Sequence, residues 1–136
     1  MRAVEQIPEE HLTHDFQTAD RSILRTLVHV FAADRIWLAR VRGQAPASFV
    51  TGGDYQLAVL QRDWPALHAG WQDHVADPAA VIRYKDLKGN PYESPLWEIV
   101  FHVVNHASHH RGQVSGFLRT LGHTPPALDL IRFYRE

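Results

Sequence analysis

Three stretches of this chain carry apolar residues at helical spacing, with turn residues clustered between them. In the first, roughly Asp20 to Val41, the apolar positions Ile23, Leu24, Leu27, Val28, Val30, Phe31, Ile36, Trp37, Leu38 and Val41 cover most of the circumference, as a largely buried helix requires. Asp20 or Ser22 is placed to cap its start, and Gly43 falls just past its end. The second, roughly Tyr55 to Ala76, repeats Leu57, Leu60, Trp64, Leu67, Trp71 and Val75 at steps of three and four. Pro65 interrupts it by removing one backbone donor, which predicts a kink or a late helix start. In the third, Leu96, Val100, Val103, Ala107, His110, Val114, Phe117 and Leu121 alternate strictly by four and three. Ser94 can cap this helix with Pro95 at its first position; Gly122 ends it, and Pro125 and Pro126 bar its continuation.

Between the second and third helices, Val81 to Tyr84 followed by Gly89-Asn90 predicts a short extended excursion. Helices adjacent in sequence and of similar length pack most simply as an up-and-down bundle, so the fold class expected is all-α. At 136 residues the whole chain, 1–136, reads as one domain with one core.

Composition narrows the function. Lysine and arginine total 14 against 15 acidic residues, so there is no basic footprint for nucleic acid. No apolar run reaches the ~18 to 20 residues of a membrane span, and the N-terminal MRAVEQIPEE carries no signal-like apolar stretch, so the chain reads as soluble and cytoplasmic. The absence of cysteine removes disulfides, thiolate metal sites and cysteine nucleophiles together. Any metal would be held by nitrogen and oxygen. The ten histidines invite that question.

Three of them fall within NHASHHRGQ, residues Asn105 to Gln113. At about 100° per residue, His106 and His110 lie about 40° apart, one turn above the other, so their rings can converge. His110 occupies the apolar seam and His106 lies about 60° to its side, whereas His102 and His109 fall about 100° to 120° away, toward the rim or solvent. A metal explains two stacked inward imidazoles, because each ring binds with one nitrogen and donates with the other; hydrogen bonds to neighbours are the competing explanation. A zinc-protease HExxH motif is excluded, since Ala107 stands where its glutamate would be. A third ligand has to come from another helix. His29, in the middle of the first, is the best placed by that criterion, sharing its face with Ala32 and Ala33; by itself it reads first as an ordinary core or surface histidine and only second as a ligand. His11, His14, His68, His74 and His123 carry no such signal.

The segments TLVHVFAADRIWLARVRG and HVVNHASHHRGQVSGFLRTLGHTPP together closely resemble the DinB-like (DinB/YfiT-like) family of metalloenzymes, over about Ser22 to the C-terminus. That resemblance implies a four-helix bundle, often dimeric, with a divalent metal held by one histidine of the second helix and two from the HxxxH of the last. Carried onto this chain, these are His29, His106 and His110. Relatives in the wider superfamily include thiol-dependent transferases and isomerases. The family pattern also begins with a full helix ahead of the IPEEHLTHDF region, of which only Met1 to Gln6 remain here. The three periodic helices therefore correspond to the family's second to fourth. Either the sequence starts too late or another subunit fills the gap; a first helix largely missing would leave apolar seam uncovered, which leads to the expectation of a homodimer.

Three neutral histidines leave a divalent ion its full charge and an open position, the arrangement of catalytic sites. Zinc or nickel suits this ligation. The function expected is a metal-dependent enzyme, a thiol-dependent transferase or a hydrolase, acting on a small molecule such as a low-molecular-weight thiol. The alternative is a non-catalytic metal- or small-molecule-binding stress-response protein. Arg111 and Gln113, within HRGQ, are candidates to contact the ligands or the substrate, or simply to face solvent, and Gly112 is expected to permit close helix packing. With imidazoles of ordinary pKa, metal would be lost below about pH 6.

Overall fold

The computed structural model describes residues 2–45, 49–74 and 76–135. Val75, the last apolar position of the second periodic stretch, lies outside them. A 3-10 turn at Arg2–Val4 and a short helix α1 (Glu9–Thr13) precede α2 (Ile23–Val41). A second 3-10 turn (Gly52–Asp54) leads into α3 (Leu57–Gln72), then strands β1 (Val81–Lys85) and β2 (Pro91–Pro95), the long α4 (Leu96–Thr120) and a last turn of helix, α5 (Leu130–Phe133). No helix among the described residues is long and apolar enough to cross a membrane.

The helix ends follow local chemistry. Of the two cap candidates for α2, Ser22 does the work: its Oγ accepts from the Arg25 amide at 3.2 Å. Gly43 and Gly122 both adopt the left-handed conformation, with φ of 69° and 82°. At each, the glycine's own amide and the next one fold back, Gly43 onto Arg40 and Gln44 onto Ala39, Gly122 onto Arg119 and His123 onto Leu118, the paired closure of a Schellman end. α4 starts one residue later than its sequence suggested, with Pro95 in the capping position and no side-chain cap. Its first amides are instead taken by carbonyls of the preceding segment, Leu96 by Ala80 at 2.8 Å and Trp97 by Pro78 at 2.9 Å. Pro65 does not delay α3, which runs through it. The proline is exposed, so the missing donor falls on the solvent side of the helix.

The helical expectation holds in the main. The fold is mainly helical, but the extended excursion is an antiparallel hairpin, paired from Val81↔Pro95 to Lys85↔Pro91. Its turn is built by Asp86, whose Oδ1 accepts from the amides of Lys88 (2.8 Å) and Asn90 (2.9 Å), and by Gly89 at φ 90°. The short helices α1 and α5 lacked enough turns to show a period.

α2 is the central element, packing against α4 on one side and α3 on the other, with α1 and β1 against it as well. One apolar cluster joins Val4, Leu12 and Ile23 to Val114 and Leu118 of α4. A second joins Val28, Val30 and Phe31 to Leu60 and Trp64 of α3. Trp64 also anchors a buried polar contact, its Nε1 donating to Asp34 Oδ2 at 2.9 Å. This α2–α4 docking brings the middle of the first long helix against the middle of the last.

Candidate metal centre

At that crossing His29 of α2 meets His106 and His110 of α4. One ligand-capable atom from each of the three lies within 4.8 Å of the others. The ring centroids are 4.9 Å apart for His29 and His106, 4.6 Å for His29 and His110, and 4.5 Å for His106 and His110. His29 Nε2 and His106 Nε2 approach to 2.9 Å, so one ring donates and the other accepts. Both nitrogens therefore point at the same small volume.

His110 is fixed from behind. Its Nδ1 lies 2.5 Å from Gln113 Oε1 and 3.4 Å from Asp20 Oδ2. Because both oxygens accept, Nδ1 carries the proton and Nε2 keeps its lone pair, the tautomer a metal ligand needs. Gln113 is thus a positioning residue one turn beyond the histidine it holds.

Electrostatics favour neutral rings at His29 and His106. Burial lowers the His106 imidazole to about 4, with His110, His29 and His102 adding to the effect. Burial also lowers His29, opposed in part by the Asp20 carboxylate and reinforced by His110. Three imidazoles in one small volume cannot all be charged without strong mutual repulsion. The donor set fits a borderline divalent cation: nitrogen only, neutral, convergent, with a carboxylate and an amide oxygen behind one ligand.

The other candidates separate as their angular positions suggest. His102 and His109 are exposed on α4, His102 stacked beside His106 at 6.0 Å and His109 edge-on to His110 at 5.0 Å. Arg111 is exposed and donates to Ser108 Oγ at 2.9 Å, and it borders a cavity of about 220 Å³ that His110 also lines. Gly112 does not serve close packing, since a Cβ there would meet nothing within 4 Å. Two histidines without a sequence signal do find each other: His11 Nδ1 and His123 Nε2 lie 2.8 Å apart, tying α1 to the segment after α4.

Sequence reasoning missed Asp20 as a site residue. It precedes the helix and has no periodic relation to the ligands, so only the fold reveals it behind His110. The cleft beside His29 was equally hidden: about 420 Å³, lined by Asp20, Arg25, Phe49, Val50 and Tyr55. The Phe49 ring stands edge-on to His29 at 5.4 Å and the Arg25 guanidinium lies 5.3 Å over Tyr55.

No curated protein matches the chain. The family model described as DinB family does match, over residues 1–136, and with it the chain belongs to the DinB family.

Proposed function

We propose that His29, His106 and His110 hold one divalent metal ion, zinc or nickel, and that the protein is a metal-dependent enzyme of the thiol-dependent transferase or hydrolase type. The observation that carries this reading is the convergence of three imidazole nitrogens, from two helices, within 4.8 Å. A bound ion would supply a Lewis-acid centre able to acidify an incoming thiol or water. The protein's own residues do the rest. Gln113 and Asp20 keep the His110 proton on Nδ1; the cleft beside His29 admits a small molecule; Phe49 and Val50 shield one wall from water. Asp20 borders both the cleft and His110, which makes it the carboxylate best placed to take a proton from a bound substrate. The chain is further proposed to act in the cytoplasm as a homodimer within the four-helix DinB plan, in which a second copy covers the exposed apolar residues Trp97, Phe101 and Val104 of α4.

Single replacement of each of the three histidines by alanine, followed by metal analysis of the purified protein, tests the ligand set. Loss of bound zinc or nickel in all three variants is expected, and unchanged stoichiometry would end the metal reading. Incubating the metal-loaded protein with low-molecular-weight thiols and electrophiles tests turnover. Thiol consumption no faster than in the metal-free control would leave the protein a non-catalytic metal binder.

A further inference from the structure

Near the opposite end of α2 from the histidine cluster sits a cation with no anion. Arg40 is only 7% exposed, and its buried Nε donates to nothing. Among the described residues no carboxylate pairs with it. Its guanidinium packs against two rings that also touch each other, 4.5 Å from the Trp37 centroid and 5.3 Å from that of Tyr84, the two centroids being 5.1 Å apart. Stacking offsets part of the desolvation of a buried charge but supplies no hydrogen-bond acceptor. Burial accordingly pushes this guanidinium below its ordinary range, opposed only by Tyr84 and Asp86.

Arg40 borders a cleft of about 1000 Å³ between the end of α2 and the β1–β2 hairpin, where Arg83 and Lys85 join it. The acidic groups of that cleft are already engaged. Glu93 Oε2 pairs with Arg83 Nε at 3.3 Å, and Asp86 accepts from the amides of Lys88 and Asn90 and from the Asn90 side chain. Asp86 keeps its charge and acts on Arg40 only through space, so among the described residues neither Arg40 nor Lys85 has a carboxylate in direct contact. The helix end does not supply the missing acceptors either, because the carbonyls of Leu38, Ala39 and Arg40 are closed by the amides of Arg42, Gln44 and Gly43. With these rings on one side of it, the guanidinium still offers its unpaired N–H groups in a fixed fork that matches two oxygens of one oxyanion.

We propose that this cleft is a binding site for a small-molecule oxyanion, a phosphate or carboxylate group held by the edge of Arg40 with Lys85 as the second cation. Tyr92, exposed and stacked beside Tyr84 at 6.0 Å, gives the rest of such a ligand a flat wall. The site stands apart from the histidine cluster and does not depend on a metal there.

The test is titration of the whole protein with inorganic phosphate, and separately with acetate, at constant ionic strength made up with chloride. Binding is followed at the Arg40 side-chain Nε–H resonance by NMR. A saturable shift is expected, and the anion that gives the tighter saturation identifies the source. Arg40→Lys keeps the charge but not the fork and should weaken binding about tenfold or more. Because a buried position can compromise folding, Lys85→Ala, at an exposed residue, provides the second arm, with a loss of about threefold. No saturable shift at Arg40 with either anion, or wild-type affinity in Lys85→Ala together with a folded Arg40→Lys, would overturn the proposal.

Discussion

Acid should destabilise the metal-free protein through its histidine cluster before its carboxylates titrate. His106 is held at about 4 and His29 is also lowered, in both cases chiefly by burial. In the unfolded chain both rings titrate near ~6.5. Between these values the unfolded state binds more protons than the folded one. Stability is therefore complete above about pH 6.5, falls as the pH drops toward 4, and levels off below the folded pKa. For His106 the interval from 6.5 to about 4 corresponds to roughly 3 kcal/mol at about 1.36 kcal/mol per unit. The ring is partly exposed, and solvent screening reduces this to about 1.5 kcal/mol. Asp54, lowered first by its hydrogen bonds from Arg35, loses its contribution only as pH falls through its own folded pKa, below 3.8, so the two effects separate. Urea unfolding of chelator-treated protein at about pH 7 and about pH 4.5 measures the difference. His106→Gln, which cannot titrate, should flatten the profile across this window. Equal pH slopes for the wild type and His106→Gln would refute the reasoning.

The same shifts revise the expected acid sensitivity of the metal. With His29 and His106 held below the ordinary imidazole range, protons compete less well, so metal should survive below about pH 6 and be lost only on approach to about pH 4. Complete release at about pH 6, measured by metal analysis after dialysis, would contradict this. Gln113→Ala and Asp20→Asn should each weaken metal affinity, by about tenfold to a hundredfold, in competition against a chromogenic chelator, without altering the circular dichroism spectrum. Unchanged affinity in both would show that His110 needs no orienting partner. Leu60→Ala, at a position 0% exposed between α2 and α3, should cost about 2 to 5 kcal/mol in urea unfolding, and a loss under about 1 kcal/mol would mean that the α3 interface collapses to fill the space.

The three long helices were legible because each carries enough turns for a period to emerge, and because Ser22, Gly43 and Gly122 mark ends through local hydrogen bonds that depend on little beyond a few residues. The pair His106 and His110 was legible for the same reason: both lie on one helix, and the angle between them is fixed by its geometry. His29 could be nominated by spacing but joined to the pair only through resemblance, since the contact depends on how two distant helices dock. Asp20 and the cleft residues Phe49 and Tyr55 lie outside the three long helices, where no period relates a residue to its neighbours in space. Gly112 misled because a helical glycine signals close packing only when another element crosses there, and none does. The hairpin was half visible: its turn chemistry is local, but the pairing of Pro91 to Pro95 with β1 is not what two prolines in five residues suggest.

His29 and His106 stand 77 positions apart along the chain, and α3 and the hairpin lie between them. An ion bridging the two would close most of the polypeptide into one loop, acting on the unfolded ensemble like a long-range cross-link. The centre cannot form on an isolated helix, since its first and last contributors meet only when α2 and α4 have docked, a contact that spans α3 and the hairpin. Metal capture at this position would therefore report completed folding, and its removal would loosen the chain as a whole and not only the pocket around it.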